Sequence, residues 1–275
     1  MWWHACASSA CWAESMDWLN TAAGFGVGLM VGITGVGGGS LMTPILVLLF
    51  GVAPAAAVGT DLWFAAFTKI VGGTVHHGKG TVDWQVFRRL CWGSLPASLL
   101  TLTWLHFSHA AQLKSGMLMT ALGGVLLLTA LAMVFKQKTH ALGQALRSGA
   151  PEQFKRAQPA LTVLAGAVLG VLVTLTSIGA GALGAVMLLA LYPYRMTPAR
   201  LVGTDIVHAI PLTIVAGTGH LLMGNVDLLL LGKLLLGSVP GVVIGTLVGT
   251  RIPEGLLRSA IAVVLVAVGT KLLLA

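Results

Sequence analysis

Between Asp17 and Asp61 the chain carries no Asp, Glu, Lys or Arg, and the same holds between Lys114 and Lys136 and between Arg156 and Arg195. Runs this long without charge leave no solvated face, so they constrain the fold more than any other feature. A hydrocarbon layer of about 30 Å is crossed by roughly 20 apolar residues in a helix, and each run holds one or two such segments. Barrel strands do not fit, because they alternate polar and apolar residues over short segments, whereas these runs are apolar on every face. With 56% hydrophobic and 9% charged residues in 275, and a mean hydropathy of +0.92, a water-soluble fold is excluded. The length fits an all-α, multi-pass membrane bundle with short loops and no extramembrane domain. Cys6, Cys11 and Cys91 form no CxxC pair, so no disulfide framework is expected. Residues 1–17 are rich in Trp and lack Lys and Arg, a poor signal peptide, and are kept as an N-terminal segment.

The chain is duplicated. A shift of 144 positions places Val58-Gly59-Thr60-Asp61 on Val202-Gly203-Thr204-Asp205, His76 on His220, Val82-Asp83 on Val226-Asp227, and Gly93-Ser94 with Pro96 on Gly237-Ser238 with Pro240. Upstream the shift becomes 142, matching Gly28, Thr34, Gly37, Gly39 and Leu41 to Gly170, Thr176, Gly179, Gly181 and Leu183, as an insertion near Pro193 explains. Each half opens on an apolar segment interrupted by small residues, Thr34 to Ser40 in one and Thr176 to Gly181 in the other, and three ordinary helices follow. The predicted spans are 18–51 (broken), 55–76, 84–106 and 113–135, then 159–192 (broken), 199–221, 226–249 and 256–274. Repeat 1 is thus 18–135 and repeat 2 is 159–275, joined by a basic loop, 136–158.

That loop carries Lys136, Lys138, Arg147, Lys155 and Arg156 against Glu152 alone, which places it in the cytoplasm. A broken segment either crosses once or dips in and returns. If both return, Lys79, Arg88, Arg89, the five loop residues, Arg195, Arg200, Arg251 and Arg258 share the cytoplasmic side, twelve of the 16 basic residues. Single crossings would scatter them. Re-entrant pairs leave an odd number of crossings per repeat, so the two repeats would be inverted relative to one another. The net charge of +8 is then a loop bias and not a nucleic-acid surface.

A glycine-rich break at membrane depth frees backbone groups that lipid cannot satisfy, so it must face protein or a water-filled cavity. The half-helices beginning near Gly39 and Gly181 would present unpaired N–H groups and a positive dipole end to an anion. Gly37, Gly38 and Gly179 would let it approach the backbone, and Thr34, Ser40, Thr176 and Ser177 would add hydroxyls. The alternative is that these glycines serve close helix packing. Asp61, Lys69, Asp205 and His208 are ionisable groups inside predicted spans, functional candidates by default. Asp61, Asp205 and His208 are candidate proton carriers, and Thr60, Lys69 and Thr204 candidate substrate ligands. Equally, the aspartates could pin helix ends, with Thr60 and Thr204 as structural hydrogen-bonders. His76 and His220, near helix ends, read as interfacial, and Asp83 and Asp227 as helix N-terminal residues.

The GVGGG break at 35–39, the duplicated VGTD, and GTVDW or GNVDL preceding GSLP or GSVP together resemble the TauE/SafE sulfite exporter family, the TSUP permeases, from about residue 20 to 274. The resemblance implies a multi-pass protein of the bacterial plasma (inner) membrane that moves small sulfur-containing anions such as sulfite or organosulfonates, often with protons. Ser177 and Ala180 stand where the first half has Gly35 and Gly38, a departure from a symmetric site. No GxxxxGK[ST] loop is present, so gradients would supply the energy, without a cofactor. The expected partners are a small anionic substrate and the lipid bilayer, with a homodimer as a compatible assembly and no nucleic acid. A second reading is a metal-cation permease or channel using Asp61, Asp205 and His208, although no metal site is assigned. A third, an intramembrane enzyme, has neither HExxH nor GxSxG to support it.

Overall fold

A computed structural model of the chain describes residues 9–34, 39–78, 80–107, 115–149, 151–248 and 254–274. These residues form helices without strands: α1 (Ser9–Thr34), α2 (Gly39–Leu48), α3 (Pro54–Gly78), α4 (Trp84–Phe107), α5 (Ser115–Val134), α6 (Lys136–Gly149), α7 (Pro151–Thr176), α8 (Ala182–Leu191), α9 (Pro198–Leu222), α10 (Leu228–Val248) and α11 (Glu254–Leu274). Among them α7, α9 and the Leu228–Gly245 part of α10 are long and apolar enough to cross a membrane. Helix α3 is as long as α9, at 25 residues, and carries Asp61 and Lys69, both buried. Much of its surface faces protein, so it can carry them.

Segment 136–158, expected to be a loop, is helical. Lys136 opens α6 after a bend of 67° from α5, and α7 already begins at Pro151. Proline suits that first position, where a missing N–H costs nothing, and Glu152 in the first turn complements the helix dipole. Charge alone concealed α6, whose Leu142 and Leu146 lie one turn apart and exposed while Gly143 packs on the backbone of Ala190 in α8.

Close backbone approach at small residues joins one half to the other. A Cβ on Gly24 or Gly28 of α1 would collide with the backbone of Leu234 or Ser238 of α10, and one on Gly166 or Gly170 of α7 with Leu90 or Ser94 of α4. The two pairs involve matched positions of the sequence repeat, and in both the helices run parallel. Antiparallel contacts join α3 to α9, with Gly73 beside Ile206 and Ile210 while Gly217 meets Leu62 and Trp63. Helices α5 and α11 also run antiparallel, Gly123 meeting Leu273 while Gly269 meets Leu127. Met42, Leu46, Leu62, Phe64, Leu126, Leu169, Ile178 and Leu212 fill the core between these layers. Leu128, Leu131, Leu164, Leu236 and Val263 face outward, as lipid contact requires.

The second broken segment turns back on itself. Gln158 near the start of α7 bonds the Leu191 carbonyl at the end of α8 (2.5 Å), and Thr162 bonds the Tyr192 hydroxyl (2.8 Å). The following turn lies against α6, His140 Nε2 meeting the Pro193 carbonyl at 3.0 Å and Ser148 the Tyr194 hydroxyl at 3.3 Å.

Candidate functional site

Backbone conformation opens the site. Ser177 (φ 59°), Gly179 (φ 120°) and Gly181 (φ 130°) interrupt the α7–α8 hairpin, conformations helices exclude and L side chains rarely adopt. The Thr176 hydroxyl stabilises the break by bonding the Leu172 carbonyl (2.7 Å) and accepting the Ile178 amide (3.2 Å), while Ile178 anchors it in the core. Helix α8 then starts from Gly181 without a side-chain cap.

Around this break lie the ionisable residues. Lys69 of α3 is 3% exposed, and its Nζ donates to the Ala180 carbonyl at 3.2 Å. It stands within electrostatic reach of both Asp61 and Asp205. The Asp205 carboxylate lies near the Gly181 amide without a hydrogen bond of ordinary geometry, and its Oδ1 packs on the α carbon of Gly184 in the first turn of α8. Asp61 accepts the Thr43 hydroxyl of α2, and Ser177 lies near it without a hydrogen bond of ordinary geometry. One oxygen of each carboxylate, Asp61 Oδ1 and Asp205 Oδ1, is buried without a partner among the described residues.

Not every sequence candidate joins this cluster. Thr60 accepts the Asp227 amide at 3.1 Å and Thr204 the Asp83 amide at 2.9 Å, each pinning the head of a helix of the other half. Asp83 Oδ1 and Asp227 Oδ1 in turn cap the Val86 and Leu230 amides, the helix-start role their positions predicted. His208 is buried one turn from Asp205, with Nε2 2.9 Å from Ser94 Oγ and Nδ1 without a partner among the described residues. In the first break, Gly37 and Gly38 lie outside the described residues, and of Thr34, Gly39 and Ser40 only the helical placement is described.

Further polar groups line a seam that the sequence did not single out. Thr174 bonds Ser98 Oγ at 2.7 Å, and the carbonyl of Thr174 meets His220 Nε2 at 2.9 Å. His220, expected at the interface, is 4% exposed because α4 and α7 pack over it. It borders a cavity of about 300 Å³, also lined by His106, Asn225, Leu105 and Met223, at the end of the bundle opposite α6. The repeat-matched pair Ser94 and Ser238 could have signalled this seam, since both hydroxyls are fully buried. No group of three His, Cys, Asp or Glu side chains able to hold a metal comes together among the described residues.

A helical bundle with outward apolar faces, a hairpin broken at membrane depth and a buried charge cluster beside it define a multi-pass membrane transporter. The chain belongs to the TauE/SafE sulfite exporter family, whose model matches residues 20–272. It is 38% identical over 255 residues to the probable membrane transporter protein YjnA of Bacillus subtilis (strain 168), covering 91% of this chain and 97% of the relative. It is also 28% identical over 245 residues to the probable membrane transporter protein YdhB of the same organism, covering 86% and 92%. No solved structure matches.

Proposed function

We propose that this transporter carries small sulfur-containing anions, sulfite or organosulfonates, out across the bacterial plasma membrane on a proton-coupled cycle. One observation carries the reading: Lys69, a buried cation, directs its ammonium to the carbonyl of Ala180 at the break, next to the amides at the head of α8 that precede its helical ladder. A positive side chain and a positive helix end converging on one buried point favour a small oxyanion. The same lysine speaks against the cation-permease alternative, because it stands in electrostatic reach of both aspartates that would have to ligate the metal.

Inverted repeats are part of the proposal. Antiparallel packing of α3 on α9 and of α5 on α11 supports them, since repeat-matched helices then enter the bilayer from opposite sides. On this topology the Arg195 turn and α6 face the cytoplasm together. Cysteines at Tyr194 and Ser148 should be labelled from that side alone, and labelling of Tyr194→Cys from outside would restore a single crossing. Purified protein in liposomes, offered sulfite, methanesulfonate, taurine, sulfate and divalent metals, tests the substrate class. Uptake of metals without uptake of sulfur anions would overturn it.

A further inference from the structure

The head of α8 is already occupied. Its ladder begins with the Gly184 and Ala185 amides, which bond the Gly179 and Gly181 carbonyls (3.2 and 3.0 Å), so the amides before them point out of the helix end. The anion lying against that end is the protein's own: the Asp205 carboxylate lies near the Gly181 amide and presses Oδ1, without a partner among the described residues, onto Gly184. A substrate oxyanion would need the same donors and the same space.

We propose that Asp205 is the resident occupant of the substrate's seat at the head of α8, and that an anion enters only as a proton neutralises Asp205. Anion and proton then cross together, one for one, in the same direction, so that export runs down the anion's own outward gradient and carries a proton out with it. Resting on the anion-transport reading, this adds a mechanism to it. The charges around Asp205 make the exchange obligatory. Lys69 and, beyond it, Asp61 face it from α3, and His208 lies one turn away on α9. The α4 residue beside His208 is the uncharged Ser94, and the α7–α8 hairpin offers backbone amides and Ser177. With Asp61 and Asp205 ionised and Lys69 charged, the centre already holds one excess negative charge. Adding an anion alone would double it in a medium that screens poorly. Adding an anion with a proton leaves it unchanged: the proton covers one Asp205 oxygen, the carboxyl draws back from the head of α8, and the O–H can donate to the newcomer.

The cycle is electroneutral for a monovalent anion, which wild-type protein tests without a mutation. In proteoliposomes, methanesulfonate keeps its single charge across the working pH range, so any pH response belongs to the protein. A gradient of one pH unit, more acidic outside, should accumulate it up to about tenfold inside. A potassium–valinomycin potential, positive inside and applied at equal pH, should accumulate nothing, and the same arm is read with sulfite. Asp205→Asn, held in the neutral state, should reverse this, losing the response to pH while 100 mV draws the anion in up to about 50-fold. Wild-type uptake that follows the potential at equal pH overturns the proposal, and so does a folded Asp205→Asn still driven by the proton gradient. Should that variant not fold, the wild-type result decides alone. Absence of sulfite and methanesulfonate transport under every gradient overturns instead the anion-transport reading on which the proposal stands.

Discussion

Thr60 and Thr204 occupy matched positions and do the same thing, each accepting the backbone amide of an aspartate that caps a helix of the other half. Nine residues on, the halves differ. Lys69 in the first half corresponds to Thr213 in the second, whose hydroxyl merely bonds the Ala209 carbonyl of its own helix. His208 likewise corresponds to Phe64, and Thr43 to Ala185. What the duplication preserves is the set of contacts that hold helices of the two halves together. What it has lost is chemical symmetry at the centre, where Lys69 of the first half lies within reach of both aspartates and its match in the second is a threonine. A second buried lysine would have to be desolvated and would repel the first, so one asymmetric anion site is the arrangement the charges allow.

Replacing Lys69 tests this difference most severely. Lys69→Met leaves Asp61 and Asp205 buried without a cation, which should cost about 3–5 kcal/mol of stability and lower transport by at least about 100-fold. Thermal unfolding in detergent and uptake in liposomes measure the two effects. Moving the charge to the matched position, in Lys69→Thr with Thr213→Lys, should not restore transport, because the surroundings differ, Phe64 standing where the second half has His208 and Ala185 where the first has Thr43. Recovery to a tenth of the wild-type rate would mean that the centre is symmetric after all.

The contacts between the halves should respond alike in both. A Cβ on Gly93 would meet the backbone of Val163, and one on Gly237, its repeat match, the backbone of Thr21. Gly93→Val and Gly237→Val are each expected to lose about 2–3 kcal/mol by overpacking two helices in contact. Losses that differ by more than about 1 kcal/mol in thermal or denaturant unfolding would show that the matched interfaces are not energetically equivalent.

The uncharged runs were enough to read an all-helical membrane bundle, because lipid leaves only helices once barrel strands are excluded, but the charged α6 was missed. Asp83 and Asp227 were legible as helix starts for the same local reason that any aspartate is before an apolar helix. The roles of Thr60 and Thr204 were not legible, since a hydroxyl that binds an anion and one that holds a neighbouring amide look alike in a VGTD motif. Ser98 and Thr174 carried no sequence signal, because hydroxyls in apolar helices commonly satisfy their own helix's carbonyls, as Thr174 also does with Gly170, and only the packing of α4 on α7 brings the two together. Lys69 was recognised as costly, but its partner is a backbone carbonyl 111 residues away, which no local pattern encodes.

Thr60→Val and Thr204→Val separate the two readings of that motif. If the hydroxyls only pin helices, each variant should lose about 1–2 kcal/mol, the cost of leaving a buried amide unsatisfied, with an unchanged KM for sulfite in whatever fraction folds. If they touch the substrate, KM should rise several-fold at full stability. The equality of the two variants matters too, because the hydrogen bonds they remove are matched.

The smallest effect is expected where the halves differ at their periphery. Arg195 donates to both oxygens of Asp83 (2.6 and 2.8 Å) and to Gln85 (2.9 Å), whereas the shorter turn at Gly51–Ala53 has no arginine to offer Asp227. This asymmetry should matter little. Its bidentate geometry is good, but the Arg195 side chain is 42% exposed, so water and salt screen the pair. Arg195→Gln should therefore lower stability by no more than about 1 kcal/mol, less at high ionic strength, and leave the transport rate unchanged. Asp83→Ala removes the helix cap as well and should lose about 1 kcal/mol more than Arg195→Gln does. If Arg195→Gln instead stops transport while the protein stays folded, the turn after α8 takes part in the cycle, and the line drawn here between a symmetric frame and an asymmetric centre would have to move outward to include it.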